Sequence, residues 1–147
     1  MKYITQAPDG LWVLKPYEDY VEQNRAALNT RLSGEDLLSG ERNGFGRASL
    51  HDARVLRFSV DYAVKQARLL LLGAYYDRHF ELVYTGLSGC GAALPGPKTD
   101  LLIHEVTLGE SGGISHELLF SDGEVLQLAC ASIAFRDWPL QEVSTFE

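Results

Sequence analysis

The histidines are the first residues of this chain that could do chemistry, because neutral imidazole binds metal ions and transfers protons near neutral pH. His104 and His116 lie in two consecutive apolar segments, residues 100–108 and 114–120. If these segments pair as a regular antiparallel hairpin, both side chains lie on one face, within the roughly 4.5–8 Å that lets two imidazoles share a metal ion. A third ligand is missing and their neighbours on that face are apolar, so we predict two neutral, hydrogen-bonded core histidines. Metal-dependent or hydrolytic chemistry on this face is the alternative.

The adjacent pair His51 and Asp52 is the second candidate, since such a pair can ligate a metal or form a base with its orienting carboxylate. Neighbouring side chains on a strand point to opposite faces, so a shared site would need a bulge here. Phosphohydrolases with an HD signature also need further His and Asp residues on helices, and this sequence offers none there. We predict that Asp52 closes the loop before a strand and that His51 is hydrogen-bonded beside it.

Cys90 is the third candidate, because it lies in the Gly-rich segment 88–91, where a loop can expose a thiol and present backbone N–H groups to an oxyanion. The segment does not match the G-x-S-x-G nucleophile elbow, and no helix clearly follows it to lower the thiol pKa. We predict a tight crossover loop over residues 88–97. Two cysteines do not make a disulfide framework, so Cys90 and Cys130 are expected to stay unbonded in a reducing compartment.

Composition limits the classes of partner. With 147 residues, 46% hydrophobic and 22% charged, the chain is expected to form a single domain, residues 1–147. A formal charge of -7 argues against nucleic acid and would suit a basic protein partner, and a homodimer is also kept open. The longest apolar run, residues 69–72, is far too short for a membrane helix, and no secretory leader is visible. We expect a cytoplasmic protein without a cofactor.

One helix signal stands out in the N-terminal part of the chain. Pro16 sits where a helix can start, and acidic residues follow it in the first turn. The stripe at steps of three and four consists of Tyr17, Tyr20, Val21, Asn24, Leu28 and Leu32. A capping pattern predicts a short second helix over residues 33–38, and the glycines of residues 40–49 predict a loop. A hairpin is predicted before the helix, and its apolar segment 11–14 is expected to be buried by the helix or by a second subunit.

The rest of the chain reads as strands. From residue 50 the apolar period becomes two, and Leu56, Phe58 and Val60 are predicted to share one face of a half-buried strand. The segments 100–108, 114–120 and 125–135 predict an antiparallel meander. Asp122-Gly123 favours a two-residue turn, which would place Phe120 opposite Val125. The expected fold is α+β, with the N-terminal helix packed on a mostly antiparallel sheet of about six to eight strands that curls or splits.

Several segments resemble a bacterial family of small cytosolic proteins of unknown function. The segments are the start MKYIT, the LHDARV strand, and the series DLLIHEV, HELLFSDG and IAF. The resemblance implies no catalytic residue, and similar architectures occur among proteins that neutralise toxins of competing bacteria. We therefore expect a noncatalytic binding or interaction module, an immunity-type inhibitor being one form of it. The alternative is a small hydrolase or metal-dependent enzyme that uses the face of His104 and His116.

Overall fold

The computed structural model describes residues 1–91 and 99–140, and its architecture is mostly β, with antiparallel sheets and one α-helix. Strands make up 47% of the described structure and helices 14%, so the α+β expectation is corrected to a mostly-β class. The elements are β1 Thr5–Gln6, β2 Trp12–Val13, α1 Lys15–Asn29, β3 Leu32–Gly34, a 3-10 helix Gly40–Asn43, β4 Arg54–Asp61, β5 Gln66–Leu72, β6 Arg78–Thr85, β7 Gly89–Gly91, β8 Leu101–Leu108, β9 Ile114–Phe120, β10 Val125–Cys130 and β11 Ser132–Pro139.

Two larger sheets form the body of the protein. One has the strand order β3-β11-β6-β5-β4 and the other β7-β10-β9-β8, while β1 and β2 pair separately as the predicted N-terminal hairpin. Among the strands of residues 1–91 and 99–140, β3 alone runs parallel to its neighbour, β11. Alternate residues of both sheets are buried and join one hydrophobic core. The large sheet has therefore split in two rather than curled.

The split occurs at Ala131. The sequence pattern predicts one strand over residues 125–135, but β10 ends at Cys130 and β11 begins at Ser132 in the other sheet. The Ala131 N–H donates to the Thr85 and Gly86 carbonyls at the end of β6, and at this point the chain passes from the sheet of β10 to the sheet of β11. The predicted meander is thus confirmed for β8, β9 and β10 only.

The predicted register of the β9–β10 hairpin is wrong by one residue. Val125 pairs with Leu119, not with Phe120, and the Phe120 N–H donates to the Glu124 carbonyl. The loop holds three residues, with Gly123 at a positive φ of 87°, and the Gly123 N–H closes a turn onto the Phe120 carbonyl. Asp-Gly at the end of such a three-residue loop serves a type I turn with a bulge, which the dipeptide alone does not distinguish from a two-residue turn.

Two β-bulges correct the predicted faces. In β4 the register shifts between Val55 and Arg57, so Leu56 leaves the core face and is 38% exposed. A regular hairpin of residues 100–108 and 114–120 also predicts Leu102 on the face of Phe120. In β8, however, the register shifts between Leu101 and Ile103, so Leu101 stands opposite Phe120 instead. A bulge adds one residue to a strand, so the side chains beyond it point to the opposite face from the one that strict alternation predicts. The apolar residues around Leu56 and Leu102 give no sign of the added residue.

The N-terminal helix is present, but the predicted second helix is not. α1 buries Tyr17, Val21 and Leu28 of the predicted stripe, but it ends at Asn29, so the last residue of that stripe, Leu32, lies in β3 instead. Residues 33–38 instead contain the end of β3 and a turn, because Leu32–Gly34 pairs with β11. Residues 40–49 contain the 3-10 helix within the predicted loop.

The segment before α1 is buried on one side only. Trp12 and Leu14 are half-buried against the core, whereas Leu11 is 69% and Val13 37% exposed. The prediction that the whole segment 11–14 is buried is therefore wrong for this chain by itself, because the strand β2 faces the core with alternate side chains only. Its burial by a second subunit stays a prediction. No helix among the described residues is long and apolar enough to cross a membrane.

Candidate functional site

A cavity of about 370 Å³ lies between α1, the segment before the 3-10 helix, and β8. Leu14, Tyr17 and Val21 line it from the helix, and Leu37 and Leu38 line it from the facing segment. These side chains are apolar and mostly buried, because the stripe of α1 and the two leucines also serve the core. The result is a concave apolar space of the size that small ligands occupy.

The cavity has polar groups at both ends. The exposed side chains of Glu18 and Glu22, together with the half-exposed Arg25, lie on the same side of α1 and line the open end. At the inner end lies His104, which is only 1% exposed. The predicted core histidine is thus buried and also reaches the wall of a cavity.

His104 and His116 lie on one face, as predicted, and contact each other directly. They occupy diagonal positions of β8 and β9, since His116 stands opposite Val106. His104 Nδ1 is 3.0 Å from His116 Nε2, and His116 Nδ1 is 2.8 Å from the Tyr84 hydroxyl on the other sheet. Two ring nitrogens that face each other at this distance share a proton, so these lone pairs are not free to ligate a common metal ion.

The positions of the protons in the hydrogen bonds that link Tyr84, His116 and His104 follow from the partners available to the Tyr84 hydroxyl. Among the described residues, the Tyr84 hydroxyl has no acceptor other than His116 Nδ1. If Tyr84 donates there, His116 carries its proton on Nε2 and donates to His104 Nδ1. His104 then carries its own proton on Nε2.

All three groups stay neutral near pH 7. Burial lowers the pKa of His104 to about 3, and the nearby Arg42 guanidinium adds to the effect. Burial, with the neighbouring His104, lowers the pKa of His116 well below its ordinary value. Burial raises the pKa of the Tyr84 hydroxyl well above its ordinary value. The side chains of Tyr84, His104 and His116 therefore act as neutral donors and acceptors, because the apolar core disfavours the charged form of each.

Side chains from α1 and the 3-10 helix also fix the position of β8. The Asn43 side-chain amide donates to the His104 carbonyl at 2.8 Å and accepts from the His104 N–H at 3.0 Å. The Tyr17 and Tyr20 hydroxyls accept from the Val106 and Leu108 N–H groups at 2.9 and 2.8 Å. An edge strand normally exposes such groups to other chains, so these side chains close the edge of β8.

His51 and Asp52 come together in a way that the sequence analysis did not predict. They lie in a turn before β4, and Asp52 has a positive φ of 63°, so the two side chains need no strand bulge to meet. His51 Nε2 is 3.4 Å from Asp52 Oδ2, and His51 Nδ1 is 2.6 Å from the Leu102 carbonyl. That carbonyl can only accept, so a neutral His51 donates to it and turns a lone pair toward the carboxylate. His51 is thus hydrogen-bonded to the Leu102 carbonyl, and Asp52 lies in the turn before β4.

Cys90 lies in β7, opposite Leu128 of β10, so the first residues of the predicted crossover loop form a short strand. Residues 92–98 of that loop lie outside the described residues. Burial raises the pKa of the Cys90 thiol, which opposes its use as a nucleophile, since thiolate is the reactive form. Cys90 and Cys130 are both free thiols in the structure.

Glu105 and Glu117 lie on the face opposite the histidines, where they are direct cross-strand partners. The Glu105 carboxylate is 1% exposed and accepts from the N–H groups of Lys2, Tyr3 and Ile4 at 2.9 to 3.0 Å. Glu117 lies 3.3 Å from the Met1 amino group. This pair of carboxylates holds the N-terminal segment on the sheet.

The comparison with known proteins identifies no family for the chain. No protein-family model matches it, and no curated protein matches it with statistical significance. Within residues 1–91 and 99–140, no group of three or more His, Cys, Asp or Glu side chains is placed to hold a metal ion.

Most of this cavity could not be found from the sequence. The sequence indicated neither the hydrogen bond from Tyr84 to His116 nor a place in the cavity for Asn43, Glu18 and Glu22. The helical stripe did place Tyr17 and Val21 inward. The facing wall could not be found from sequence, because residues 37–43 reach α1 through long-range packing and not through a local motif.

Proposed function

We propose that the protein is a noncatalytic binding module whose ligand occupies the cavity beneath α1. The observation that carries this proposal is the cavity of about 370 Å³ with the buried His104 at its inner end. Small-ligand sites are commonly concave spaces of about 300–1,000 Å³ with apolar walls and a few polar groups that orient the ligand. The cavity beneath α1 has this form.

The chemistry of the candidate residues favours binding over catalysis. A general base works best with a pKa near the working pH, whereas the pKa of His104 is about 3. The ring nitrogens of His104 and His116 that face each other are already engaged. The Cys90 thiol has a raised pKa and lies in β7, which contributes nothing to the lining of this cavity.

A small hydrolase or metal-dependent enzyme is the second candidate function. One observation favours it: the hydrogen-bonded chain from Tyr84 through His116 ends at a histidine that lines a cavity. Such a chain could pass a proton to a bound substrate. Metal analysis of the purified protein, with hydrolysis assays of wild type and His104→Gln on chromogenic esters and phosphoesters, separates this candidate from the first.

The proposal also covers location and partners. A reducing cytosol would keep Cys90 and Cys130 as thiols. The formal charge of -7 would attract a basic protein, as an immunity-type inhibitor does with a basic toxin, and a second copy of the chain could cover Leu11 and Val13. In this reading the cavity is the primary site.

A fragment screen by ligand-observed NMR tests the cavity. Val21 lines it and is 4% exposed, so Val21→Phe fills part of its volume. The matched control is Val83→Phe, at a half-buried position of β6 that does not line the cavity. We expect fragments that bind wild type and Val83→Phe but lose binding to a folded Val21→Phe. Equal binding of all fragments to the three proteins would overturn the proposal.

A further inference from the structure

The outer face of the five-stranded sheet is open to solvent in the described part of the chain. In β5, β6 and β11 the buried side chains alternate with side chains that point away from the core, and none of the latter is buried. The helix α1 and the four-stranded sheet join the core from the other side. An antiparallel sheet commonly leaves one face in water, so the composition of this face decides whether it is a binding surface.

The strand registers place arginine and apolar side chains together at the centre of this face. One row across four strands consists of Arg57, Leu70, Glu81 and Arg136, and the next row consists of Ser59, Arg68, Val83 and Ala134. Arg57 and Arg68 are therefore diagonal neighbours on β4 and β5, a spacing of about 7–8 Å. They line a concavity of about 210 Å³ with Ser59, Leu70 and Glu81. We call the patch of Arg57, Arg68, Leu70, Val83 and Arg136 the arginine face.

Two of these arginines carry positive charge that the described residues do not neutralise. Arg57 and Arg68 form no ion pair and no side-chain hydrogen bond with a described residue, whereas every other arginine except Arg31 lies within ion-pair distance of a carboxylate. Glu81, the carboxylate of the concavity, already accepts from Arg136 at 2.8 Å. Like charges on neighbouring strands destabilise a sheet. Since the chain has 20 acidic side chains for 13 basic ones, two adjacent arginines without a carboxylate indicate an anion supplied by a partner.

Apolar side chains adjoin the arginines on the same face. Leu70, Leu72 and Val83 are half-buried, and so is Trp138, over whose ring the Arg136 guanidinium lies at 5.0 Å. Arginine and aromatic residues beside an apolar centre are the composition that distinguishes protein interfaces from the rest of a protein surface. A small inorganic anion would leave this apolar area uncovered, so the composition favours a protein partner.

We propose that the arginine face binds an acidic segment of another protein. One carboxylate of that segment lies between Arg57 and Arg68, because a guanidinium donates two parallel hydrogen bonds to a carboxylate. An apolar side chain next to that carboxylate contacts Leu70 and Val83. This surface shares no lining residue with the cavity beneath α1, so the inference stands apart from the proposed function.

Charge argues against two other occupants. A symmetric dimer through this face would place the arginine-rich surfaces of two copies against each other. A long nucleic acid would meet the arginines, but it would also meet the repulsive field of a chain with a formal charge of -7. A short acidic segment has contact with the arginine face alone.

Peptide binding measured by fluorescence anisotropy tests the inference. The probe is a fluorescein-labelled peptide of sequence DELDELDE, and the control peptide NQLNQLNQ replaces each carboxylate with an amide. We expect wild type to bind the acidic peptide at least about tenfold more tightly than the amide peptide, and the double variant Arg57→Gln, Arg68→Gln to weaken that binding by about tenfold. The matched control Lys15→Gln, Arg25→Gln removes the same charge from exposed pairs of α1 and should leave binding unchanged.

Methyl NMR of the wild-type protein locates the bound peptide without any substitution. We expect the methyl signals of Leu70 and Val83 to shift as the acidic peptide is added. The controls lie on the same two strands, since Leu69 and Leu82 face the core and are 0% exposed. Their methyl signals should stay unchanged.

Several outcomes would overturn the inference. These are no binding of the acidic peptide, equal binding to wild type and to the Arg57→Gln, Arg68→Gln variant, or methyl shifts that spare Leu70 and Val83. Tighter binding of an eight-nucleotide polyuridylate than of the peptide would assign the face to nucleic acid. A doubled solution mass of wild type that this variant lacks would assign it to a second copy of the chain. The fragment screen of the cavity is independent of all these results.

Discussion

The Tyr84 hydroxyl and His116 Nδ1, 2.8 Å apart, form a hydrogen bond between the two sheets in the middle of the core. Tyr84 lies on β6 and His116 on β9, and both are 0% exposed. Buried polar groups are tolerated when every member of a network has a partner. This bond and the next one, to His104, therefore specify how the sheets face each other, and they make the core sensitive to protonation.

The first prediction is that acid destabilises the fold between about pH 6.5 and pH 3. The unfolded chain protonates its histidines near 6.5, whereas the folded chain keeps His104 neutral down to about 3 and His116 neutral well below 6.5. The unfolded state thus binds more protons in this window, so stability falls as the pH falls. Between pH 7 and pH 5 we expect a loss of about 2 kcal/mol from His104 and a further loss from His116, measured by urea unfolding.

The matched control removes the network as a whole. The triple variant Tyr84→Phe, His104→Leu, His116→Leu replaces it with apolar side chains and should lose at least about 2 kcal/mol less over the same pH interval. His79→Gln, at a half-buried position of β6, should keep most of the wild-type pH dependence. The same slope in wild type and triple variant would show that the core histidines are not the acid-sensitive groups.

The second prediction concerns the approach of β3 to β11. Gly34 has a φ of 83°, and a Cβ there would collide with the Phe135 carbonyl oxygen. Gly10 has a similar φ of 89°, but a Cβ there has open space. We expect Gly34→Ala to cost about 4 kcal/mol or more and Gly10→Ala about 1–2 kcal/mol in urea unfolding. Equal costs would mean that backbone conformation alone, without the close approach, explains Gly34.

The third prediction concerns the carboxylate that holds the N-terminal segment. Glu105→Gln replaces one acceptor oxygen with an NH₂ group that faces backbone donors, so we expect a loss of about 2–4 kcal/mol of stability. Glu117→Gln is the control across the strand pair. Its partner is a single amino group at a partly exposed position, and we expect a loss below about 1 kcal/mol. The prediction fails if the two variants unfold at the same urea concentration.

The fourth prediction concerns the edge of β8. Tyr17→Phe removes the acceptor of the Val106 N–H, and Tyr20→Phe removes that of the Leu108 N–H. Each variant should speed the hydrogen exchange of its own amide by about five- to tenfold, the equivalent of a hydrogen bond of about 1 kcal/mol. Each also serves as the control for the other. Acceleration of both amides in both variants would indicate that the whole helix detaches instead.

The sequence predicts the local elements of this fold better than their registers. The stripe of α1 as far as Leu28 and the shared face of His104 and His116 are confirmed, because both depend on a periodicity that the chain keeps over several residues. The bulges at Leu56 and Leu102 interrupt that periodicity without any local signal. The class also shifts to mostly β, since residues after Leu32 pair with β11, a strand about a hundred residues later.

The candidate site shows the same limit. His104 was named from its residue type and spacing, but its environment depends on Arg42 and Asn43 of the 3-10 helix and on Tyr84 of β6, two parts of the chain that are distant from His104 in sequence. A buried arginine cannot be recognised in a segment that reads as a Gly-rich loop. The carbonyl groups that hold Arg42 become visible only when that loop is folded.

Tyr17 and Asn43 each have two tasks, since they line the cavity and also cover the edge of β8. Any substitution that reshapes the cavity at these positions uncovers backbone groups that can pair with another chain. Substitutions of Tyr17 or Asn43 that adapt the cavity to a new ligand are therefore expected to increase aggregation. Adaptation of the site is left to residues such as Glu18, Glu22 and Leu38, whose side chains form no hydrogen bond to that edge.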